Sequence, residues 1–330
     1  MKKRKVYELF MADEGPNHTE AWAKLVLPAS PYEIRDAMEK AQIRPGRPVY
    51  LEIQRYLPGM EWLKPFVASE RELRALYAFN ALAEQLAAMD ELELHNYEER
   101  VRAVADANPV PLPRLYDLAS SEGAFQRLDL TPVEPDYIVL MECRQDGAEG
   151  TAAVKLPAPT EAVKTWEAEA GENAVWQCAD CLIPRLADAI TAVGSLGSAN
   201  DAAMMLRAIP QKRLPLFKAL LEAKGVTSLR EALNLYSRME EYGLDPIIHC
   251  VEDVAKWELQ FLMDKSEAEK LIPYVDLRAY GKVVMAEYHM TLTGYGGVAP
   301  LADRPAFQEE AEREIAERQK AECQGADEKQ

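Results

Sequence analysis

Apolar positions in the first third of the chain follow two different periods. Imperfect alternation and β-favouring side chains, typical of half-buried strands, predict three strands, near residues 6–11, 21–27 and 49–56. Apolar residues at helical spacing then predict three helices, near residues 70–88, 91–106 and 111–120. Together the two periods indicate a module made of a short antiparallel sheet and several helices.

A further helix is predicted between the second and third strands. The run Ser30-Pro31-Tyr32-Glu33 has a serine at the N-cap, a proline at the first helical position and a glutamate at the third. In such a capping box the serine hydroxyl and the glutamate carboxylate each accept a hydrogen bond from the other residue's backbone N–H. We therefore expect this helix to begin at Ser30.

The pattern of the first module recurs later in the chain, in the same order and at nearly constant spacing. The matched pairs are Tyr7–Met11 with Tyr137–Met141, Ala23–Ala29 with Ala152–Ala158, Leu57-Pro58 with Ile183-Pro184, and Asn80–Leu86 with Asn200–Leu206. The third of these matches places Asp180 at the position of Gln54. We therefore predict the α+β class, with tandem duplicated small modules followed by a helical C-terminal region.

The repeat and the charge composition together divide the chain into four segments. We predict a first module over residues 1–130, a second over 137–244, a mainly helical region over 245–300 and a charged, partly disordered tail over 301–330. Within the third segment, residues 251–264 and 277–289 have helical patterns, and Thr293–Gly297 is predicted to be a turn.

The net charge of −17 narrows the classes of partner. Such a surface repels nucleic acid, whose binding depends on Lys and Arg side chains, and it repels anionic membranes. A basic protein partner fits this charge, although acidity that serves only solubility is the more common case on charge alone. No stretch reaches the roughly 20 apolar residues of a membrane-spanning helix. Acids at Glu8, Asp13 and Glu14 interrupt any signal sequence, so we expect a cytoplasmic protein.

The run Cys-Ala-Asp-Cys at residues 178–181 is the only pattern that suggests chemistry. No second cysteine pair completes a zinc site, and Pro184 follows too soon for the helix that a redox motif usually opens. Structural thiols are therefore the favoured interpretation, and a redox or metal role is the alternative. The histidines and the glycines near residue 295 match no catalytic or phosphate-binding motif. We predict a protein that is not an enzyme and has no metal or cofactor.

Carboxylates are concentrated in two stretches, one in the first module and one after the second. At helical spacing they form exposed acidic ridges if the leucines take the inner face, and a merely solvated helix face is the competing interpretation. The predicted partner-binding carboxylates are Asp90, Glu91, Glu93, Glu98, Glu99, Glu240, Glu241, Asp245, Glu252, Asp253 and Glu258.

The third segment resembles the C-terminal part of the ArdA-type antirestriction proteins. The resemblance rests on Glu252-Asp253 before a helix, on Leu271–Gly281 with its Asp-x-x-Ala-Tyr-Gly element, and on Gly294-Tyr295. The stretch from Phe217 to Leu235 adds a helix, a glycine-containing break and a Ser-Leu-x-x-Ala-x-Asn-Leu run. The resemblance covers residues 200–298 directly and the first module only through the duplication.

This resemblance implies a cytoplasmic DNA mimic, often a homodimer, of the kind encoded on mobile genetic elements. Its acidic surface would occupy the DNA-binding groove of a type I restriction-modification enzyme, with carboxylates in place of phosphates and no direct contact with nucleic acid. Lys2–Lys5 and Lys212-Arg213 depart from a continuous negative stripe. The alternative is a non-catalytic interaction or scaffold protein of a mobile genetic element that is acidic for solubility only.

Overall fold

The chain folds into a mixed α+β structure with three small antiparallel sheets in its described part, which confirms the predicted class. The structure is a computed structural model that describes residues 4–15, 19–44, 46–104, 109–119, 132, 134–144, 152–171 and 174–301. Within these ranges no helix is long and apolar enough to cross a membrane. Apart from Leu301, the tail predicted over residues 301–330 lies outside the described residues.

In its described residues the first module contains one three-stranded sheet and four α-helices. Its strands are β1 (Tyr7–Asp13), β2 (Trp22–Leu27) and β3 (Val49–Tyr56), paired antiparallel in the order β2-β1-β3. Its helices are α1 (Pro31–Lys40), α2 (Leu73–Ala88), α3 (Glu91–Val104) and α4 (Leu112–Ala119). Alternate residues of β1 are buried, as a sheet with one face against helices requires.

Helix α1 begins at the predicted capping box. The Ser30 hydroxyl accepts a hydrogen bond from the Glu33 N–H at 3.3 Å, and the Glu33 carboxylate accepts one from the Ser30 N–H at 2.8 Å. This pair confirms that the helix begins at the serine. Tyr32, Ile34 and Ala37 form the buried face of the helix.

The second module repeats this order of elements. Its strands are β4 (Val139–Arg144), β5 (Ala152–Leu156) and β6 (Val175–Cys181), and their order β5-β4-β6 corresponds strand for strand to the first sheet. Its helices before residue 210 are α5 (Thr160–Ala170), α6 (Ala187–Ala192) and α7 (Leu196–Ala208).

An asparagine clamp joins the long helix to the sheet in each module. Asn80 on α2 accepts a hydrogen bond from the Ala29 N–H at 2.7 Å and donates one to the Ala29 carbonyl at 3.2 Å. Asn200 on α7 makes the same two bonds with Ala158, at 2.8 and 3.2 Å. The predicted match of Asn80 with Asn200 is therefore confirmed.

The match of the first strands is wrong by two residues. Tyr7 lies opposite Leu27 in the first sheet, whereas the residue opposite Leu156 in the second sheet is Val139. Since Leu27 and Leu156 are matched ends of β2 and β5, Val139 corresponds to Tyr7. The error came from matching two tyrosines, although Tyr137 precedes β4 and is half-buried while Tyr7 is fully buried.

The match of the third strands is wrong by one residue. Arg55 lies opposite Glu8, and Asp180 lies opposite Leu140, each beside a β-bulge at the same place in its ladder. Asp180 therefore corresponds to Arg55 and not to Gln54. The bulge is present in both copies and does not cause the offset. The Leu57 N–H donates to the Val6 carbonyl and the Leu182 N–H donates to the Ile138 carbonyl, so Leu57 corresponds to Leu182 and not to Ile183.

The outer edges of the third strands are covered differently in the two sheets. Leu51 on β3 exchanges two backbone hydrogen bonds with Glu70, at 2.9 and 2.8 Å. On β6 the Cys178 N–H donates instead to the Thr191 hydroxyl at 2.9 Å. Both arrangements satisfy backbone groups that a sheet edge would otherwise leave open.

A buried carboxylate of the second module contacts the start of helix α1, and we call this contact the Asp180 junction. Asp180 accepts hydrogen bonds from the Ser30 hydroxyl at 2.6 Å, the Tyr137 hydroxyl at 2.7 Å and the Tyr32 N–H at 3.3 Å. Burial raises the pKa of Asp180, and these three hydrogen bonds oppose the rise. The junction thus fixes α1 of one module to β6 of the other.

From Gln211 onward the chain forms a second compact unit, with residues 227–229 belonging to the first. Its strands are β7 (Tyr242–Asp245), β8 (Thr291–Thr293) and β9 (Gly296–Pro300), in the order β7-β9-β8. The helices that follow α7 are α8 (Leu214–Ala223), α9 (Leu229–Tyr236), α10 (Val251–Leu262), α11 (Lys265–Leu271) and α12 (Leu277–Glu287). This unit begins near residue 210 because α8 packs on the third sheet. The end of the second module at residue 244 rests on the repeat and stays a prediction.

The third sheet was not predicted from the sequence. Gly294 and Tyr295 connect β8 to β9, so the stretch predicted to be a turn is the tip of a hairpin. Gly296 has a φ of 129°, and a Cβ there would lie 2.2 Å from the backbone oxygen of Asp245. Glycine is therefore required where β9 meets β7. Strands this short and rich in glycine lack the apolar alternation that identifies a strand in a sequence.

Candidate partner-binding surface

The first of the predicted carboxylates start helix α3. The Asp90 carboxylate accepts a hydrogen bond from the Glu93 N–H at 2.8 Å, and the Glu93 carboxylate accepts one from the Asp90 N–H at 2.9 Å. These acids cap the helix and complement its dipole, as the structural interpretation of this stretch requires. Glu91 lies exposed beside them and has no ion-pair partner among the described residues.

Four other predicted carboxylates lie next to basic side chains at the surface, three of them in ion pairs with arginine. Exposed pairs of this kind contribute little to stability, and a basic side chain of a partner protein can exchange with the intramolecular one. The pair at Glu241 lowers the pKa of that carboxyl group. The pairs are Glu98 with Arg102, Glu99 with His95, Glu240 with Arg213 and Glu241 with Arg238.

The two acids at the start of helix α10 have different roles, as do the acids at the start of α3. The Asp253 carboxylate accepts hydrogen bonds from the N–H groups of His249 and Cys250, both at 3.2 Å, and lies 3.5 Å from the Lys256 ammonium. Its neighbour Glu252 is half-buried and makes no ion pair within the described part of the chain. One acid therefore caps the helix while the adjacent acid can meet a partner.

Two of the predicted carboxylates are buried, so the prediction that they lie on an exposed ridge is wrong. Asp245 is 9% exposed and accepts a hydrogen bond from the Ile247 N–H at 3.1 Å in the turn after β7. Glu258 is 5% exposed and accepts one from the Tyr288 hydroxyl at 3.0 Å. The helical period places Glu258 on the same face as Val254, which packs against α12.

Helix α11 presents acids that sequence reasoning missed. Its only buried residue is Ala268, and its remaining side chains face outward. Lys265 and Lys270 lie among the acids, so the sequence contains no continuous acidic run here. We call Asp264, Glu267 and Glu269 the α11 carboxylates; they are exposed and without an ion-pair partner in the ranges that the structure describes.

The Asp-x-x-Ala-Tyr-Gly element has a structural role in helix α12. The Asp276 carboxylate accepts a hydrogen bond from the Ala279 N–H at 3.0 Å and caps the helix, and Tyr280 packs against the core of the second unit. A Cβ at Gly281 would lie 2.1 Å from the backbone oxygen of Val251, so only glycine allows α12 to approach α10 this closely. The residues on which the family resemblance rests therefore serve the fold.

Large apolar side chains are exposed near the end of α10 and after α11. Tyr274 is 87% exposed, and Phe261 stacks on Trp257 with ring centroids 6.0 Å apart. Large apolar side chains that stay exposed are candidates for burial against a partner protein. We call the group the apolar cluster; it consists of Phe261, Leu262, Leu271 and Tyr274.

A cleft of about 290 Å³ lies beside the Asp180 junction. Tyr32, Tyr137, Lys155 and Arg207 are among the residues that line it. The Lys155 ammonium lies 2.6 Å from the Asp136 carboxylate and lowers the pKa of that group. Since basic side chains line the cleft, it does not extend the acidic surface.

The candidate surface is thus made of the exposed carboxylates on α3 and α11, the half-buried Glu252 on α10, and the apolar cluster, each within its own unit. In the described part of the chain, no group of three His, Cys, Asp or Glu side chains is placed to hold a metal ion. No protein-family model, no curated protein and no solved structure matches the chain.

Proposed function

We propose that this chain is a cytoplasmic antirestriction protein that mimics DNA and binds the DNA-binding groove of a type I restriction-modification enzyme. Occupation of the groove is sufficient for inhibition, so the activity needs no catalytic residue, metal or cofactor and no direct contact with nucleic acid. The observation that carries the proposal is the exposure of Glu91 and the α11 carboxylates, none of which has an ion-pair partner among the described residues. A basic groove supplies the opposite charges that these side chains lack.

The resemblance to the ArdA-type proteins supports the proposal through the fold of the second unit. Asp276 and Gly281 determine where α12 begins and how closely it packs on α10. These residues of the resemblance therefore determine the scaffold of the second unit. The partner-binding groups on that scaffold are then its exposed carboxylates.

Inhibition of a type I restriction-modification enzyme is the direct test. The purified protein is expected to reduce both DNA cleavage and DNA methylation in competition with the DNA substrate. The inhibition should weaken as salt rises from about 50 to about 200 mM, because the contacts are electrostatic. Unchanged cleavage and methylation with several such enzymes would refute the proposal.

Reversal of two charges on α3 is expected to weaken inhibition roughly tenfold or more, because a like charge then faces the basic groove. The variant combines Glu91→Lys with Glu99→Lys, which leaves the cap made by Asp90 and Glu93 intact. The half-inhibitory concentration, measured at fixed DNA concentration and low salt, gives the size of the effect.

A control with the same change in net charge separates a specific surface from overall acidity. Glu161→Lys with Glu169→Lys reverses two exposed acids on α5, in the same unit as α3. This variant should inhibit within roughly twofold of the natural protein if α3 lies in the groove. Equal weakening by both variants would show that α3 has no special part in binding.

A non-catalytic interaction or scaffold protein of a mobile genetic element is the second candidate. The apolar cluster favours this second candidate, because the exposed Phe261 and Tyr274 side chains cannot take the place of phosphates. The cluster is also the surface at which we expect two copies of the chain to meet, since burial of aromatic side chains commonly dominates an interface. Dimer formation is compatible with either candidate function.

Phe261→Ser with Tyr274→Ser is expected to raise the dissociation constant of a homodimer roughly 30-fold or more, the effect of losing a central aromatic contact. Light scattering after size-exclusion chromatography over a range of concentrations measures this. Leu92→Ser removes an apolar side chain that is 67% exposed on α3 and serves as the control. If the natural protein stays monomeric at all concentrations, the apolar cluster is not a dimer interface.

A further inference from the structure

Two cysteines of β6 lie on the same face of the second sheet. Cys178 lies opposite Met141 and Cys181 lies opposite Val139, which are two residues apart on β4. Residues three apart in a regular strand point to opposite faces. The β-bulge at Ala179 takes up the extra residue and brings both thiols to one face.

The two thiols are close enough to react with each other. Residues opposite partners two apart have Cα atoms about 6.7 Å apart, near the upper end of the range of about 4.4–6.8 Å found in disulfides. The Cys178 thiol donates to the Asp180 carbonyl at 3.5 Å, and the neighbouring Cys178 thiol together with burial raises the pKa of Cys181. Cys181 is fully buried and donates to the Ile183 carbonyl at 2.9 Å, whereas Cys178 is only half-buried. A soluble oxidant therefore reaches Cys178 first.

The first module shows that the sheet needs neither thiol. The residues that correspond to Cys178 and Cys181 beside the equivalent bulge are Ile53 and Tyr56. Both pack against the apolar core of their module. Since ordinary apolar side chains fill these two positions in one copy, a pair of thiols on the same face in the other copy points to chemistry rather than to packing.

Asp180 connects this pair of thiols to the first module. It lies between the bulge and Cys181, and its carboxylate holds the start of α1 through Ser30 and Tyr32. A disulfide across residues 178–181 draws the two ends of this stretch together. The backbone at Ala179 and Asp180 must then rotate, and the carboxylate leaves its hydrogen-bond partners.

We propose that Cys178 and Cys181 are a redox-sensitive dithiol whose oxidation to a disulfide releases helix α1 from Asp180. The oxidant is hydrogen peroxide or an organic hydroperoxide. The Cys178 thiolate attacks an oxygen, so an S–O bond forms, the O–O bond breaks and the departing oxygen takes up a proton. The Cys181 sulfur then attacks the Cys178 sulfur, forming the S–S bond and releasing the second oxygen as water. With hydrogen peroxide, two thiols lose two electrons and the peroxide becomes two waters.

Peroxide titration of the full-length protein tests this proposal. After oxidation, remaining thiols are alkylated, and peptide mass analysis is expected to find Cys178 linked to Cys181. Hydrogen exchange at the Tyr32 amide is expected to become roughly tenfold faster, the factor for loss of a hydrogen bond to a charged group. Dithiothreitol should restore the slow rate.

Three variants make the result decisive. Cys178→Ala and Cys181→Ala should show slow exchange at Tyr32 both before and after peroxide, while Asp180→Ala should show fast exchange throughout. Alkylation of both cysteines after excess peroxide would overturn the dithiol. A disulfide that leaves the exchange of Tyr32 unchanged would overturn its link to the Asp180 junction. Neither outcome depends on whether the protein inhibits a restriction enzyme.

Discussion

Gly281→Ala is expected to lower the free energy of unfolding of the second unit by about 3 kcal/mol or more. The added Cβ would lie 2.1 Å from the backbone oxygen of Val251 and 2.9 Å from one of its methyl carbons. Helices α10 and α12 can relieve this clash only by moving apart, which opens the core at Val254 and Val284. Denaturant unfolding, followed by hydrogen exchange in peptides from these two helices, measures the change.

A second helical glycine provides the matched control. Gly197 lies in α7, and nothing lies within 4 Å of a Cβ built there. Gly197→Ala should leave the free energy of unfolding unchanged or raise it by up to about 1 kcal/mol, because alanine has the higher helix propensity. Equal destabilisation by the two variants would contradict the close approach of α12 to α10.

Asn80→Ala and Asn200→Ala are each expected to lower the free energy of unfolding of the first unit by about 2–3 kcal/mol. Each substitution removes two hydrogen bonds and leaves the N–H and the carbonyl of one backbone residue, Ala29 or Ala158, without their partners. Urea unfolding of the two variants should therefore give similar losses, since the geometry of the clamp is the same in both modules.

The control for the asparagine clamp is an asparagine that holds no strand end. Asn234 is exposed on α9, and its replacement by alanine should change the free energy of unfolding by less than about 0.5 kcal/mol. A loss at Asn80 without a comparable loss at Asn200 would show that the two modules are stabilised differently despite their common architecture.

Most elements could be predicted from the sequence because local chemistry determines them. The run from Ser30 to Glu33 forms its capping box with side chains only three residues apart, so nothing distant can change it. The strands from 7 to 13 and from 49 to 56 were found within a few residues because their apolar content is high. Where apolar content is low, as in Gly296–Pro300, the strand was missed.

The relation between the two modules was harder to obtain from the sequence. The match of Asn80 with Asn200 is correct because the two residues make the same pair of hydrogen bonds. The match of Tyr7 with Tyr137 is wrong because the two tyrosines make different ones. Tyr7 donates its hydroxyl to the Phe79 carbonyl inside its own module, whereas Tyr137 donates to Asp180 at the junction. Identity of residue type is therefore no guide to register, which the pairing of the strands determines.

The candidate surface was predictable only in part, since the sequence does not state which face of a helix is covered. Glu91 and Glu258 look alike in the sequence, yet one is exposed and the other lies against α12. The acids of α11 were missed because Lys265 and Lys270 lie among them, so the sequence shows no continuous acidic run, although most of the helix is exposed. Whether a given acid is exposed or buried depends on how the neighbouring helices pack, which the sequence pattern does not show.

The covered edges of β3 and β6 bear on how the protein behaves at high concentration. A strand whose outer N–H and carbonyl groups are open is a template on which another chain can add a strand and begin an aggregate. Glu70 closes that template along β3, and the Thr191 hydroxyl closes it at Cys178 on β6. On the opposite edge of the first sheet, β2 presents Lys24, and a lysine on an edge strand discourages such addition. Addition of a strand from a second copy to these edges is thereby made less favourable.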